Sequence, residues 1–152
     1  MELIRLLDER ELAILADAAE AMKRAHLRHY EDAGLEAVHS RLRALYEAMR
    51  ECVKTRHLGP IEAHAETVAR DRHRMGFGIG EVQTAFNVLE EAVWRRVVSE
   101  VEPAKLAEAL ALVATALGAG KDRLAQTWVS LATSTQGPAL DVAALFRGTE
   151  GV

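Results

Sequence analysis

Residues 74–82 read RMGFGIGEV. Gly76, Gly78 and Gly80 alternate with Phe77 and Ile79, in a chain that holds only ten glycines. Such a stretch either cradles a phosphate or joins two helices. A dinucleotide-binding fingerprint needs G-x-G-x-x-G between a strand and a helix. Gly76 and Gly78 fill its first two positions, but Glu81 stands at the third. A Walker loop ends in Gly-Lys-Ser or Gly-Lys-Thr, and the chain contains neither. Upstream, Ile61, His64, Ala65, Val68 and Met75 follow helical spacing; downstream, Ile79, Val82, Phe86, Leu89, Val93 and Val97 do the same. A carboxylate at the start of the second helix would repel phosphate. The stretch is therefore read as a helix-to-helix junction, with Phe77 and Ile79 tucked into the core.

The rest of the chain repeats the pattern. A first long helix is expected over about residues 9–31, with Leu12, Leu15, Ala19, Met22, His26 and Tyr30 inward and a short helical lead at residues 3–7. Gly34 punctuates its end. A second is expected over 35–56, with the stripe Leu35, Val38, Leu42, Leu45, Met49 and Cys52. Gly59-Pro60 opens the third, which runs to Met75 and carries Arg70, Arg72 and Arg74 on its outer face. The fourth follows the junction; its stripe is wide, with Trp94, Val98 and Val101 beside the main row, as in a heavily buried helix. Pro103 opens the fifth, which continues past Trp128 to Leu131. Gly118 and Gly120 lie inside it and cost about 1 kcal/mol each relative to alanine, so a closely approaching neighbour is the expected compensation. No segment shows the alternation of a strand. The fold class is all-α: a single helical domain of about five long helices, globin-like or bundle-like, over residues 1–132. Residues 133–152 read as a linker followed by a short apolar segment.

Composition narrows the function. At 152 residues the chain can bury a core of its own. A net charge of −4 and a pI near 5.9 argue against a nucleic-acid surface. The start, MELIRLLDERE, lacks the basic start and apolar run of a signal peptide, and no apolar run approaches the ~20 residues of a membrane span, so a soluble cytoplasmic protein is expected. Cys52 is the only cysteine and falls on an inner stripe, as an inert core thiol does. His26 and His29 stand three apart, but no third ligand joins them in sequence, and no metal site is expected. None of Ser40, Ser99, Ser130 and Ser134 lies in a nucleophile elbow, and Glu90 and Glu91 belong to a solvated face. No catalytic constellation stands out. His64 falls on an apolar face, and Phe77, Phe86 and Trp94 cluster around the junction and the fourth helix; these four are the candidate lining of a ligand cavity between helices, set against a plain core role.

The segment from about Ala63 to Val98 resembles the N-terminal sensory domains of stressosome co-antagonist proteins of the RsbR and RsbRD type. Arg72, Gly76, Ile79, Ala85, Phe86 and Trp94 carry the resemblance. Residues 74–77, RMGF, are also similar to the R-I-G-L of bacterial globin-coupled sensors. Those sensors place the haem-binding histidine four residues before the glycine. Here that position is Arg72, and His73 stands one residue late, a turn of about 100° on a helix. A guanidinium does not ligate iron as a neutral imidazole does. The resemblance therefore implies a globin-like domain without haem. The expected function is a non-enzymatic, cofactor-free, homodimeric sensory module in bacterial signalling, which senses a small ligand or relays the state of a signalling partner by helix shifts. A second reading is a haem-binding gas sensor with His73 or His64 on the iron. A third is an interaction module that docks through the C-terminal ALDVAALFRG segment.

Overall fold

The computed structural model describes residues 1–135. They form seven α-helices: α1 (Leu3–Glu9), α2 (Glu11–Ala25), α3 (Arg28–Ala33), α4 (Leu35–Thr55), α5 (Gly59–Arg74), α6 (Ile79–Glu100) and α7 (Pro103–Thr135). No strand occurs among the described residues, and the helices form a single all-α domain. Five of the helices are long. α7 lies along α5 and α6, α2 along α6 and α4, and α4 against α5. No described helix is long and apolar enough to cross a membrane.

Periodicity places most of the stripes, with corrections at particular residues. The first expected helix is two: His26 takes the left-handed conformation (φ 51°, ψ 46°) and ends α2, and Leu27 is extended before α3 begins. His26 is consequently exposed and pairs with Glu31 through Nδ1 at 2.9 Å instead of facing inward. The buried stripe of α2 is Ile14, Leu15, Ala18, Ala19 and Met22. Leu12 lies about 90° from the centre of that stripe and is 78% exposed. Leu35 and Met75, also expected inside, are exposed because they stand at helix ends, the first residue of α4 and the C-cap of α5. Gly34 ends the short α3 and leads into α4 at φ 89°, ψ 163°, a region open essentially to glycine alone. α7 runs through Thr135, so residues 133–135 are helical rather than linker; the rest of that expected linker and the apolar segment lie outside the described residues.

Polar ties join helices that apolar burial has already brought together. Tyr46 Oη donates to the Leu7 carbonyl at 2.6 Å and fixes α4 to α1; burial pushes this phenol well above its ordinary pKa. The N-terminal ammonium donates to the Glu100 carbonyl at 2.8 Å, and Arg10 pairs with the Glu100 carboxylate at 2.8 Å. Arg123 on α7 forks between Glu62 and Glu66 on α5. Partly exposed pairs of this kind contribute about 0–1 kcal/mol each, so the buried stripes carry most of the stability.

The two mid-helix glycines of α7 differ. A Cβ at Gly120 would stand 2.8 Å from Phe86 Cε1 and 2.9 Å from Ile61 Cγ1, so α7 approaches α5 and α6 as closely as a missing side chain allows. A Cβ at Gly118 would meet nothing within 4 Å. Close approach thus compensates for one glycine and not the other. Gly118→Ala is expected to stabilise the domain by up to about 1 kcal/mol through helix propensity. Gly120→Ala is expected to destabilise it by about 1–3 kcal/mol through overpacking, despite the same propensity gain. Urea unfolding of the two variants measures both; shifts of the same sign would refute the difference in packing.

Candidate functional site

The junction is a C-cap followed at once by an N-cap. The Phe77 amide donates to the Arg72 carbonyl at 3.0 Å and the Gly76 amide to the His73 carbonyl at 3.1 Å, with Gly76 at φ 83°. This is the Schellman arrangement, and it needs a positive φ at Gly76. Gly78 is extended (φ −78°, ψ 148°) and precedes the first turn of α6. Having no side chain, Gly78 cannot cap that turn itself; Glu81 reaches back and accepts from the Gly78 amide at 3.2 Å. The same carboxylate accepts from the His29 amide at 3.2 Å and contacts His29 Nδ1 at 2.7 Å. Burial pushes Glu81 upward, but the bonds from Gly78 and His29 outweigh it and hold the carboxyl below its ordinary pKa. The residue that rules out a phosphate cradle is thus the clasp between α3 and α6.

Phe77 is buried beneath this clasp. The His29 ring stacks on it at 4.7 Å, and Tyr30 meets it edge-on at 5.2 Å. Two guanidiniums also lie near the ring, Arg41 of α4 at 5.5 Å and Arg72 of α5 at 5.8 Å from its centroid. Beside them is a partly open cavity of about 140 Å³, bounded by α2 to α6, with Tyr30, Ser40, Arg41, His64, Arg72 and Phe86 among its lining. Met22, Leu42, Val68 and Val82 supply apolar wall, and no carboxylate among the described residues lines it. Arg41 Nη1 and Arg72 Nε are buried and lack a hydrogen-bond partner. Among the described residues, neither arginine pairs with an acid.

The titrations of the surrounding groups reflect that field. Burial lowers the pKa of Arg41, and the charge of Arg72 lowers it further. Burial raises Tyr30, which both arginines oppose. Burial lowers His64, and Arg72 adds to the effect. The site therefore presents two arginines, a protonated phenol and a neutral imidazole at neutral pH.

Of the residues singled out in sequence, His64 and Phe86 line the cavity, and Phe77 lies under its arginines. Trp94 lies elsewhere. It is 42% exposed and, with Val98, lines a shallow groove on the outside of α6, because the buried row passes through Ala92, Val93 and Val97. His73 and His64 stand nine residues apart, about 180° around α5. His73 rests edge-on to Trp128 at 5.3 Å, and of the two alternative haem ligands only His64 lines the cavity. The cavity is also below the roughly 300–1,000 Å³ of pockets for drug-sized ligands, and a macrocycle does not fit unless helices part. His26 and His29, the candidate metal pair, engage different acids, Glu31 and Glu81.

No sequence motif marks the arginine pair. Arg72 is half-buried and inward rather than on the expected outer face, and Arg41 joins it from α4. The helical period carries the signal: Val38, Arg41, Leu42 and Leu45 share one face of α4, as Ile61, Ala65, Val68 and Arg72 share one face of α5.

His64 generates a pH prediction. Its folded-state pKa lies below the ordinary 6.5, so the unfolded chain binds this proton more tightly. The stabilising effect is complete above about pH 6.5 and is lost as pH falls below it. The Glu81 contribution is lost only lower, below the ordinary carboxylate value of 4.5. The thermal midpoint is expected to fall between pH 7 and pH 5, and to fall less in His64→Gln; identical slopes would remove His64 from this account.

No curated protein and no solved structure matches the chain. Residues 3–136 match the family model of the RsbT co-antagonist protein rsbRD N-terminal domain. That span covers every long helix, the junction and the whole cavity lining, and the chain therefore belongs to the family of RsbT co-antagonist rsbRD N-terminal domains.

Proposed function

We propose that this domain is a non-enzymatic, homodimeric sensory module of stressosome-type signalling that reads a small ligand in the cavity between α2 and α6. Family membership supports the signalling role. The single observation that carries the sensing role is the cavity itself, whose two inward arginines lack acidic partners and are held in place by the junction. Arg72 belongs to both: its side chain faces the cavity and its carbonyl holds the Phe77 amide. A ligand that moves Arg72 moves the junction and, through it, the first turn of α6. α6 carries Phe86 on its inner side and Trp94 and Val98 on its outer side, so a shift of this helix reaches the surface. Such a shift needs only a ligand that binds one arrangement of the helices better than the other. The module works in the cytoplasm with a signalling protein as its output and without a resident cofactor.

Two measurements test this. Light scattering at high protein concentration is expected to give the mass of a dimer, and Trp94→Glu, which places a charge on the outer face of α6, is expected to weaken it by tenfold or more. A strict monomer would count heavily against the reading. Protein from haem-supplemented cells is expected to show no Soret band and no change on haem titration. A stoichiometric band lost in His64→Ala or His73→Ala would replace this reading with the gas-sensor one.

A further inference from the structure

We propose that the cavity binds a small carboxylate with a short apolar tail, the head on Arg41 and Arg72 and the tail against Val68, Val82 and Phe86. The proposal deepens the sensory reading above and rests on it.

The first argument is the missing counter-charge. A buried cation is costly unless it is paired and hydrogen-bonded. Among the described residues, every other half-buried arginine has an acid: Arg50 has Asp8 and Glu11, Arg123 has Glu62 and Glu66, Arg96 has Asp17, and Arg10 has Glu100. The chain is acidic overall, with 23 acids against 19 bases, yet no acid among the described residues lines the cavity. The pKa of Arg41 is lowered by burial first, and the charge of Arg72 lowers it further. An anion between them would relieve both costs.

The second argument is the donor set. Arg41 Nη1 and Arg72 Nε are buried and unpartnered, one nitrogen from each guanidinium, and a guanidinium N–H makes strong charge-assisted bonds to a carboxylate. The Tyr30 and Ser40 hydroxyls belong to the same lining and add neutral donors. Glu81 acts on Tyr30 from nearby, but its carboxylate is committed to Gly78 and His29.

The third argument is shape. About 140 Å³ holds a head group and a few carbons, and the remaining wall is apolar. A phosphate or sulfate would turn some of its oxygens toward valine and phenylalanine, where nothing donates to them; a short alkyl tail would bury surface there instead. Stacking on Phe77 and Tyr30 partly stabilises the guanidiniums while the cavity is empty, which keeps the site formed without a ligand.

Thermal unfolding of the full chain tests the proposal, with titration of acetate, propionate and butyrate at constant ionic strength against chloride, phosphate and neutral propionamide. Propionate or butyrate is expected to raise the midpoint saturably by several degrees, with no such rise from chloride or propionamide. Arg41→Met and Arg72→Met are expected to weaken the response at least tenfold. Arg41→Lys, which keeps the charge and loses the fork, is expected to weaken it less than Arg41→Met does. Because each methionine removes one of two like charges, the ligand-free variants are expected to melt no lower than the parent. Saturation-transfer NMR between propionate and the unsubstituted chain gives a readout that does not depend on how the variants fold. Absence of both a carboxylate-specific rise and saturation transfer would overturn the proposal. So would an equal rise from propionamide, an undiminished response in both methionine variants, or a rise from phosphate alone. A dimer that ignores every carboxylate sinks the proposal and leaves the sensory reading; a strict monomer that binds propionate does the reverse.

Discussion

The hydrogen bond from the Phe77 amide to the Arg72 carbonyl, made across Gly76, is the constraint on which the rest of the site depends. It ends α5 two residues past Arg72, at the edge of the cavity, and turns the chain so that Phe77 drops inward. Space is not what demands glycine there, since an added Cβ would approach only His29 Nε2, at 3.9 Å. The demand is the φ of 83°, which costs an L-residue about 1–2 kcal/mol. Once Phe77 is inside, its ring organises four neighbours: His29 and Tyr30 of α3, and the guanidiniums of Arg41 and Arg72. A six-residue helix such as α3 has little stability of its own. It is held because its residues pack on Phe77 and its backbone is clasped by Glu81.

That clasp also explains the electrostatics of the cavity. Glu81 is the carboxylate near this site, and its position at the start of α6 commits it to the Gly78 amide and to His29. An acid placed to neutralise the arginines would have to leave the clasp, and α3 would lose its anchor. The positive field of the cavity is therefore a consequence of how the junction is built. It adds to the burial that lowers Arg41 and His64, and it opposes the rise that burial gives Tyr30.

Much of this is legible in the residues. The spacing of apolar side chains gives the five long helices, and Gly59-Pro60, Pro103 and the glycines after Arg74 give three of the boundaries. What spacing misses is the break at His26, where a residue other than glycine takes the left-handed conformation. Gly118 and Gly120 look alike in sequence, and only the position of Phe86 and Ile61 tells them apart. Period places Arg41 and Arg72 each on an inner face, but a single inward arginine usually reaches past the core to solvent. That two of them meet depends on how α4 lies against α5, which no local pattern records.

α6 is the element on which these constraints converge. Its first turn is fixed by Gly78, Glu81 and α3; its inner row passes the cavity at Val82, Ala85 and Phe86; its outer row carries Trp94 and Val98. Gly120 of α7 presses on the Phe86 ring from the far side, so Phe86 has no slack in that direction. Packed interiors respond to a change in volume by shifting whole elements rather than by compressing. A change in the occupancy of a cavity bounded by Phe86 is therefore absorbed by the other walls, α4 and α5 among them, or passed along α6 as a rigid displacement.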